Sequence, residues 1–229
     1  MHGIVSASPP APQARGGRLG AAGVALVALA ALVLQYALLL RATWDGAGPF
    51  AATVRFLSYF TVLSNLLVVL VAARAAGLER LPAFWAKPRT RAAAALYIAV
   101  TGLVYLAVLR HLWQPSGWQW WADAGLHYAT PALYLAWWLL AAPHGRLGPR
   151  DLGAWLLFPL GFALWAFLRG AWVHEYPYPF LDVDTLGWAR VLGNVGRVLG
   201  LFLLLGGALL GLDRMLGRAG RARPGVGSG

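Results

Sequence analysis

Two residues in separate apolar stretches have the types that nucleophilic chemistry needs. His127 lies in WADAGLHYATPALYLAWWLL (Trp121 to Leu140) with Asp123, Thr130 and Tyr134. At about 100° per residue these four fall within roughly 60° of arc, one polar stripe on an otherwise apolar helix. An imidazole has the unperturbed pKa of a general base, and a carboxylate one turn earlier can accept a ring N–H and set its tautomer. A hydroxyl for that base is Thr61. It shares a polar face about 120° wide with Ser58, Ser64 and Asn65 on an earlier apolar stretch. A threonine alcohol is a weak nucleophile and attacks only with such a base beside it.

The same residues have plainer roles open to them. A helical threonine commonly bonds the carbonyl one turn back, here that of Leu57. Asp123 suits a helix N-terminus, where a carboxylate meets the positive end of the dipole. Further along, Arg190, Asn194 and Arg197 share a face and could hold a carboxylate or stabilise an oxyanion. Arg190 alone could equally snorkel to a headgroup region. His111, His127 and His174, with Asp123 and Glu175, form a possible zinc set by ligand type, but no pair shows local ligand spacing.

These residues must be positioned by membrane helices. The chain has 229 residues, of which 59% are hydrophobic and 12 are tryptophan, with a mean hydropathy of +0.61. Its apolar runs approach the ~20 residues that span hydrocarbon. The pattern predicts an all-α fold, a six-transmembrane-helix bundle, with spans at 19–40, 51–73, 92–109, 121–142, 152–173 and 188–212. Residues 1–17 and 214–229 read as disordered tails around one membrane domain, 18–213. The Trp-rich segment LWQPSGWQWW reads as an interfacial aromatic belt.

The net charge of +11 belongs to topology rather than to nucleic acid, because Lys and Arg lie between the apolar runs. Thirteen basic residues fall on one side and five on the other, which predicts cytoplasmic termini. Thr61 then lies roughly 10–15 Å below the outer surface and His127 roughly 8 Å, depths that helix tilt can equalise. The absence of cysteine excludes disulfides and thiolate chemistry. No phosphate-cradling Gly-rich motif is present, and no cofactor is expected.

Three segments carry a resemblance: RFLSYFTVLSNLL (Arg55 to Leu67), LHYATPALYLAWW (Leu126 to Trp138) and YPYPFLDV (Tyr176 to Val183). Together they resemble a bacterial family of six-helix membrane proteins, the Pr-six-Pr family, over nearly all of 22–213. More distantly the chain is similar to the androgen-induced membrane hydrolases of eukaryotes. That family has a Tyr-x-Thr element, a Gly-x-His element and a Tyr-Pro-Phe-Leu-acidic loop, and hydrolyses fatty-acid esters of hydroxy fatty acids. The resemblance implies a bacterial inner-membrane protein with a lipid-like substrate, Thr61 as nucleophile and His127 as base. Asp123, Asn65, Asn194 and Arg197 would support them. The loop residues Tyr178, Phe180 and Asp182 are expected to form a lid. A slip of the alignment would move the nucleophile to Ser58 or Ser64. The alternative function is a non-catalytic multi-pass protein, a solute or lipid carrier or a structural subunit.

Overall fold

The structure, a computed structural model, describes residues 15–222. Every regular element among them is helical. The elements are α1 (Arg15–Thr43), α2 (Gly48–Leu57), α3 (Phe60–Ala76), α4 (Pro88–Ala107), α5 (Trp118–Ala124), α6 (Thr130–Ala141), α7 (Pro149–Val173) and α8 (Val183–Ala222). Four stretches are long and apolar enough to cross a membrane: Arg15–Thr43, Pro88–His111, Pro149–Val173 and Val183–Gly220. The pair α2 and α3 makes a fifth if its two pieces are counted together.

That pair departs from the straight second helix expected over 51–73, because it bends by 77° at Ser58 and Tyr59. Ser58 closes α2 by donating its hydroxyl to the Val54 carbonyl, and Tyr59 takes an extended conformation that restarts the chain as α3. The Trp165 indole donates to Ser58 Oγ from α7, so a neighbouring helix holds the break in place. The bend is therefore a tertiary feature, and it makes Thr61 the second residue of a new helix.

α5 and α6 are joined by a π turn, Gly125–Ala129, in which the Thr130 N–H bonds the Gly125 carbonyl. Pro131 supplies the reason: it has no N–H for the His127 carbonyl, and the wider turn accommodates its ring. Two glycines let neighbours approach this turn. A Cβ on Gly125 would lie 2.6 Å from the Ala31 Cβ of α1, and one on Gly102 of α4 would lie 3.2 Å from Pro131.

The core lies among α1, α3, α4 and α6, where Val68, Val71, Leu96, Ile98, Tyr134 and Trp138 are buried. α7 and α8 close its side with Trp155, Ala166, Phe202 and Leu209, and α7 turns Leu157, Leu164, Leu168 and Trp172 outward. A long helix with so much exposed apolar surface matches a lipid contact face.

Both predicted tails need correction where they are described. Residues 15–17 already belong to α1, and α8 continues through 214–222. The remaining predicted tail residues, 1–14 and 223–229, lie outside the described residues. The buried Asp213 carboxylate accepts the backbone N–H groups of Arg146 and Leu147, 3.0 Å each, and faces His144. That anchor gives the end of α8 a tertiary partner that composition did not reveal. The Trp-rich segment is also more ordered than an interfacial loop, since Trp118, Trp120 and Trp121 belong to α5.

Candidate active site

The break before α3 determines what Thr61 can do. With Tyr59 as the N-cap, the Thr61 N–H is one of the donors that a helix leaves unpaired at its start. The Tyr178 hydroxyl accepts it at 3.1 Å. Thr61 Oγ1 lies 3.3 Å from His127 Nε2 and 3.3 Å from the Tyr178 hydroxyl oxygen. It makes no bond to the Leu57 carbonyl, because the helix that would present that carbonyl has ended.

His127 sits in the π turn, with Nδ1 3.1 Å from Asp123 Oδ1 and 3.2 Å from the Asp123 carbonyl oxygen. An Nδ1–H donated to that carboxylate leaves the Nε2 lone pair facing the Thr61 hydroxyl. Asp123 is 4% exposed, so its second oxygen also needs a partner, and the Tyr105 hydroxyl donates to it. The Tyr105 ring also stacks on the imidazole, with centroids 3.9 Å apart and planes 12° from parallel. The result is a continuous chain, Thr61–His127–Asp123–Tyr105, from three helical segments.

Asn65 locks the register. Its amide donates to the Thr61 carbonyl at 2.8 Å and to the Leu126 carbonyl at 3.3 Å, bridging α3 to the π turn beside His127. The alternative hydroxyls are engaged elsewhere. Ser58 bonds Val54 and Trp165, and Ser64 bonds the Thr61 carbonyl and the Thr101 hydroxyl. Of the three, Thr61 is the one that faces an imidazole.

Other expected site residues fall differently. Tyr134 is fully buried with its hydroxyl on the Arg91 carbonyl, and the Thr130 hydroxyl has no partner among the described residues. The polar stripe thus divides into a half linked to Thr61 (Asp123 and His127) and a packing half (Thr130 and Tyr134). Arg190 and Arg197 are exposed on α8 and neither reaches Thr61; Arg197 bonds Asn194 one turn earlier. Asn194 in turn donates to the Phe180 carbonyl, so it fastens the 174–182 loop rather than touching the hydroxyl–imidazole pair. Asp182 accepts the Thr185 N–H and starts α8 instead of covering the site. Phe180 stacks on Tyr178, with centroids 5.3 Å apart. Tyr178, expected as part of a lid, is a buried wedge driven between α3 and its neighbours. Burial pushes its phenol up to about 12, so the hydroxyl keeps its proton at ordinary pH.

The histidines do not gather. His174 pairs with Asp184 at 2.9 Å on the surface, and His111 meets Arg110. Among the described residues no group of three or more His, Cys, Asp or Glu is placed to hold a metal.

Sequence reasoning missed Arg55, Tyr105 and Arg169. Glu175 is held between Arg55 at 2.6 Å and Arg169 at 2.8 Å, which ties the loop carrying Tyr178 to α2 and α7. The link of Tyr105 to Asp123 depends on how α4 packs against α5.

Two cavities meet at Thr61. One, of about 440 Å³, is lined by Gln35, Arg55, Tyr59, Asp123 and His127. The other, of about 90 Å³, lies among apolar side chains of α4, α7 and α8, including Val104, Phe162 and Phe202. Thr61 and Tyr178 line both. Comparison with family models, with curated proteins and with solved structures found no match to this chain.

Proposed function

We propose that this protein is an intramembrane hydrolase of a lipid ester, with Thr61 as nucleophile and His127 as general base. The observation that carries the reading is the Thr61–His127–Asp123 chain, set where a cavity that holds a few polar groups on mostly apolar walls meets a smaller apolar one at Thr61. An amphipathic ester fits such a junction: its hydrocarbon follows the apolar groove and its carbonyl lies against Thr61.

The chemistry follows from the geometry. His127 Nε2 takes the Thr61 hydroxyl proton as Oγ1 attacks the ester carbonyl, and Asp123 stabilises the imidazolium that forms. The carbonyl π pair moves to oxygen. Tyr178, whose hydroxyl already touches Oγ1 and accepts the Thr61 N–H, donates its own proton in a hydrogen bond to that oxyanion. Collapse expels the alkoxide, which takes the proton from His127 and leaves an acyl-threonine. Water, deprotonated by the same imidazole, then releases the acid and restores the hydroxyl.

The proposal includes six spans with both termini cytoplasmic, in a bacterial inner membrane. α5, the π turn and α6 run on without a break through 7, 5 and 12 residues, about 35 Å at helical rise, enough to cross ~30 Å of hydrocarbon. The excess of basic residues at the far end supports the orientation. A second reading, a non-catalytic lipid or solute carrier, is favoured by the size of the 440 Å³ cavity. A fluorophosphonate probe separates the two. Covalent labelling that disappears in Thr61→Ala supports the hydrolase, and a folded protein that takes no label supports the carrier.

A further inference from the structure

At the opposite end of the bundle lie two arginines that no part of the hydrolase reading uses. Arg74 occupies the last turn of α3 and Arg91 the first turn of α4. Arg91 is 8% exposed, and its Nε has no hydrogen-bond partner. The Nε of Arg74 is equally sealed and equally unpartnered. The two side chains are close enough to repel each other, and no carboxylate among the described residues pairs with either.

Buried charge without a counter-charge is costly, and the surroundings offset little of that cost. The Trp137 ring lies 5.7 Å from the Arg91 guanidinium carbon, which supplies a cation–π contact but no hydrogen-bond acceptor. The start of α4 presents the positive end of its dipole to Arg91, which adds to the repulsion. Arg18, from α1 at the same end, donates its Nε–H to the Ala76 carbonyl and brings a third positive charge. Helices α1, α3 and α4 thus each bring an arginine to this end of the bundle, and no carboxylate among the described residues pairs with Arg74 or Arg91.

We propose that Arg74 and Arg91 form a binding site for a phosphate group at this basic end of the bundle. Guanidinium forks match phosphate oxygens in shape and charge. The site lies thirteen residues along α3 from Thr61, roughly 20 Å, so it is separate from the hydroxyl–imidazole pair. Helix ends carrying Arg at this level of a membrane protein meet lipid headgroups, and an anionic phospholipid and free phosphate share the chemistry that the site recognises.

Delipidated protein in neutral detergent tests the proposal by native mass spectrometry and thermal unfolding. Phosphatidylglycerol and inorganic phosphate are titrated separately against phosphatidylcholine and chloride at matched ionic strength. Retention of phosphatidylglycerol with a raised Tm, without an effect of inorganic phosphate, identifies a lipid headgroup site; an effect of both identifies a general phosphate site. Arg91→Gln and the more accessible Arg74→Gln should each weaken binding by roughly tenfold or more, the worth of a charge-assisted hydrogen bond. Arg150→Gln, an exposed arginine elsewhere at the same end, should leave it unchanged. Binding of neither probe overturns the proposal. So does equal weakening by Arg150→Gln, which would mark diffuse surface charge, or full binding by folded Arg74→Gln and Arg91→Gln variants.

Discussion

Tyr178→Phe is the substitution that separates a catalytic wedge from a structural one. It removes a single oxygen and leaves the ring stacked on Phe180 and buried against Tyr59 and Phe162. Two interactions disappear: acceptance of the Thr61 N–H at 3.1 Å and the 3.3 Å contact with Thr61 Oγ1. Leaving a buried backbone N–H unpaired costs about 1–3 kcal/mol of stability. Losing one oxyanion donor costs roughly 10²- to 10³-fold in kcat. The variant should therefore show a modestly lower Tm and a large loss of kcat with little change in KM, since the hydroxyl acts on charge that develops in the transition state. The assay is hydrolysis of a chromogenic medium-chain ester by purified protein in detergent, with Tm read in parallel. The phenol, pushed up to about 12, stays neutral through pH 5–9, so the shape of the pH–rate profile in that window should not change. A folded Tyr178→Phe protein with undiminished kcat refutes the oxyanion assignment.

Three other outcomes follow from the same geometry. Thr61→Ala, His127→Ala and the double variant should lose nearly the same activity, each at least about a hundredfold, because groups acting as one unit are not additive; a double variant slower by the product of the single losses would show independent roles. Reporter fusions after Gly77 and Arg218 should read cytoplasmic and one after Asp182 external, and the reverse pattern would invert the bundle. Asp213→Ala should cost about 1–3 kcal/mol by stranding the Arg146 and Leu147 N–H groups. Hydrogen exchange should then rise across 214–222 first, and unchanged protection there would mean that the end of α8 is held by something else.

Much of the site was legible because it follows helical periodicity. Asp123 and His127 are one turn apart, and that spacing survives even though a π turn begins between them. Thr61 and His127 could be matched by depth along separate spans. The tertiary contributions were not legible. The bend at Ser58 and Tyr59 depends on Trp165 from a helix about a hundred residues later in the chain, and no local propensity announces it. Tyr178 comes from a loop, where side-chain direction has no period to read. Tyr105 needed the packing of α4 on α5 to reach Asp123. Arg197 illustrates the opposite error: an intramembrane arginine suggests a site, yet here it faces outward and bonds its own helix neighbour. The extension of α8 through a Gly- and Arg-rich tail was hidden because its anchor, Asp213, is satisfied by backbone of a distant loop.

The hydroxyl–imidazole pair is tested most directly by finding where a covalent bond forms. Purified protein treated with a fluorophosphonate should gain one adduct by intact mass, and peptide mapping should place it on Thr61 Oγ1. His127→Ala should slow that labelling at least about a hundredfold while the protein remains folded. An adduct on Ser58 or Ser64, or no adduct on a folded protein that still hydrolyses ester, would contradict a threonine nucleophile served by His127.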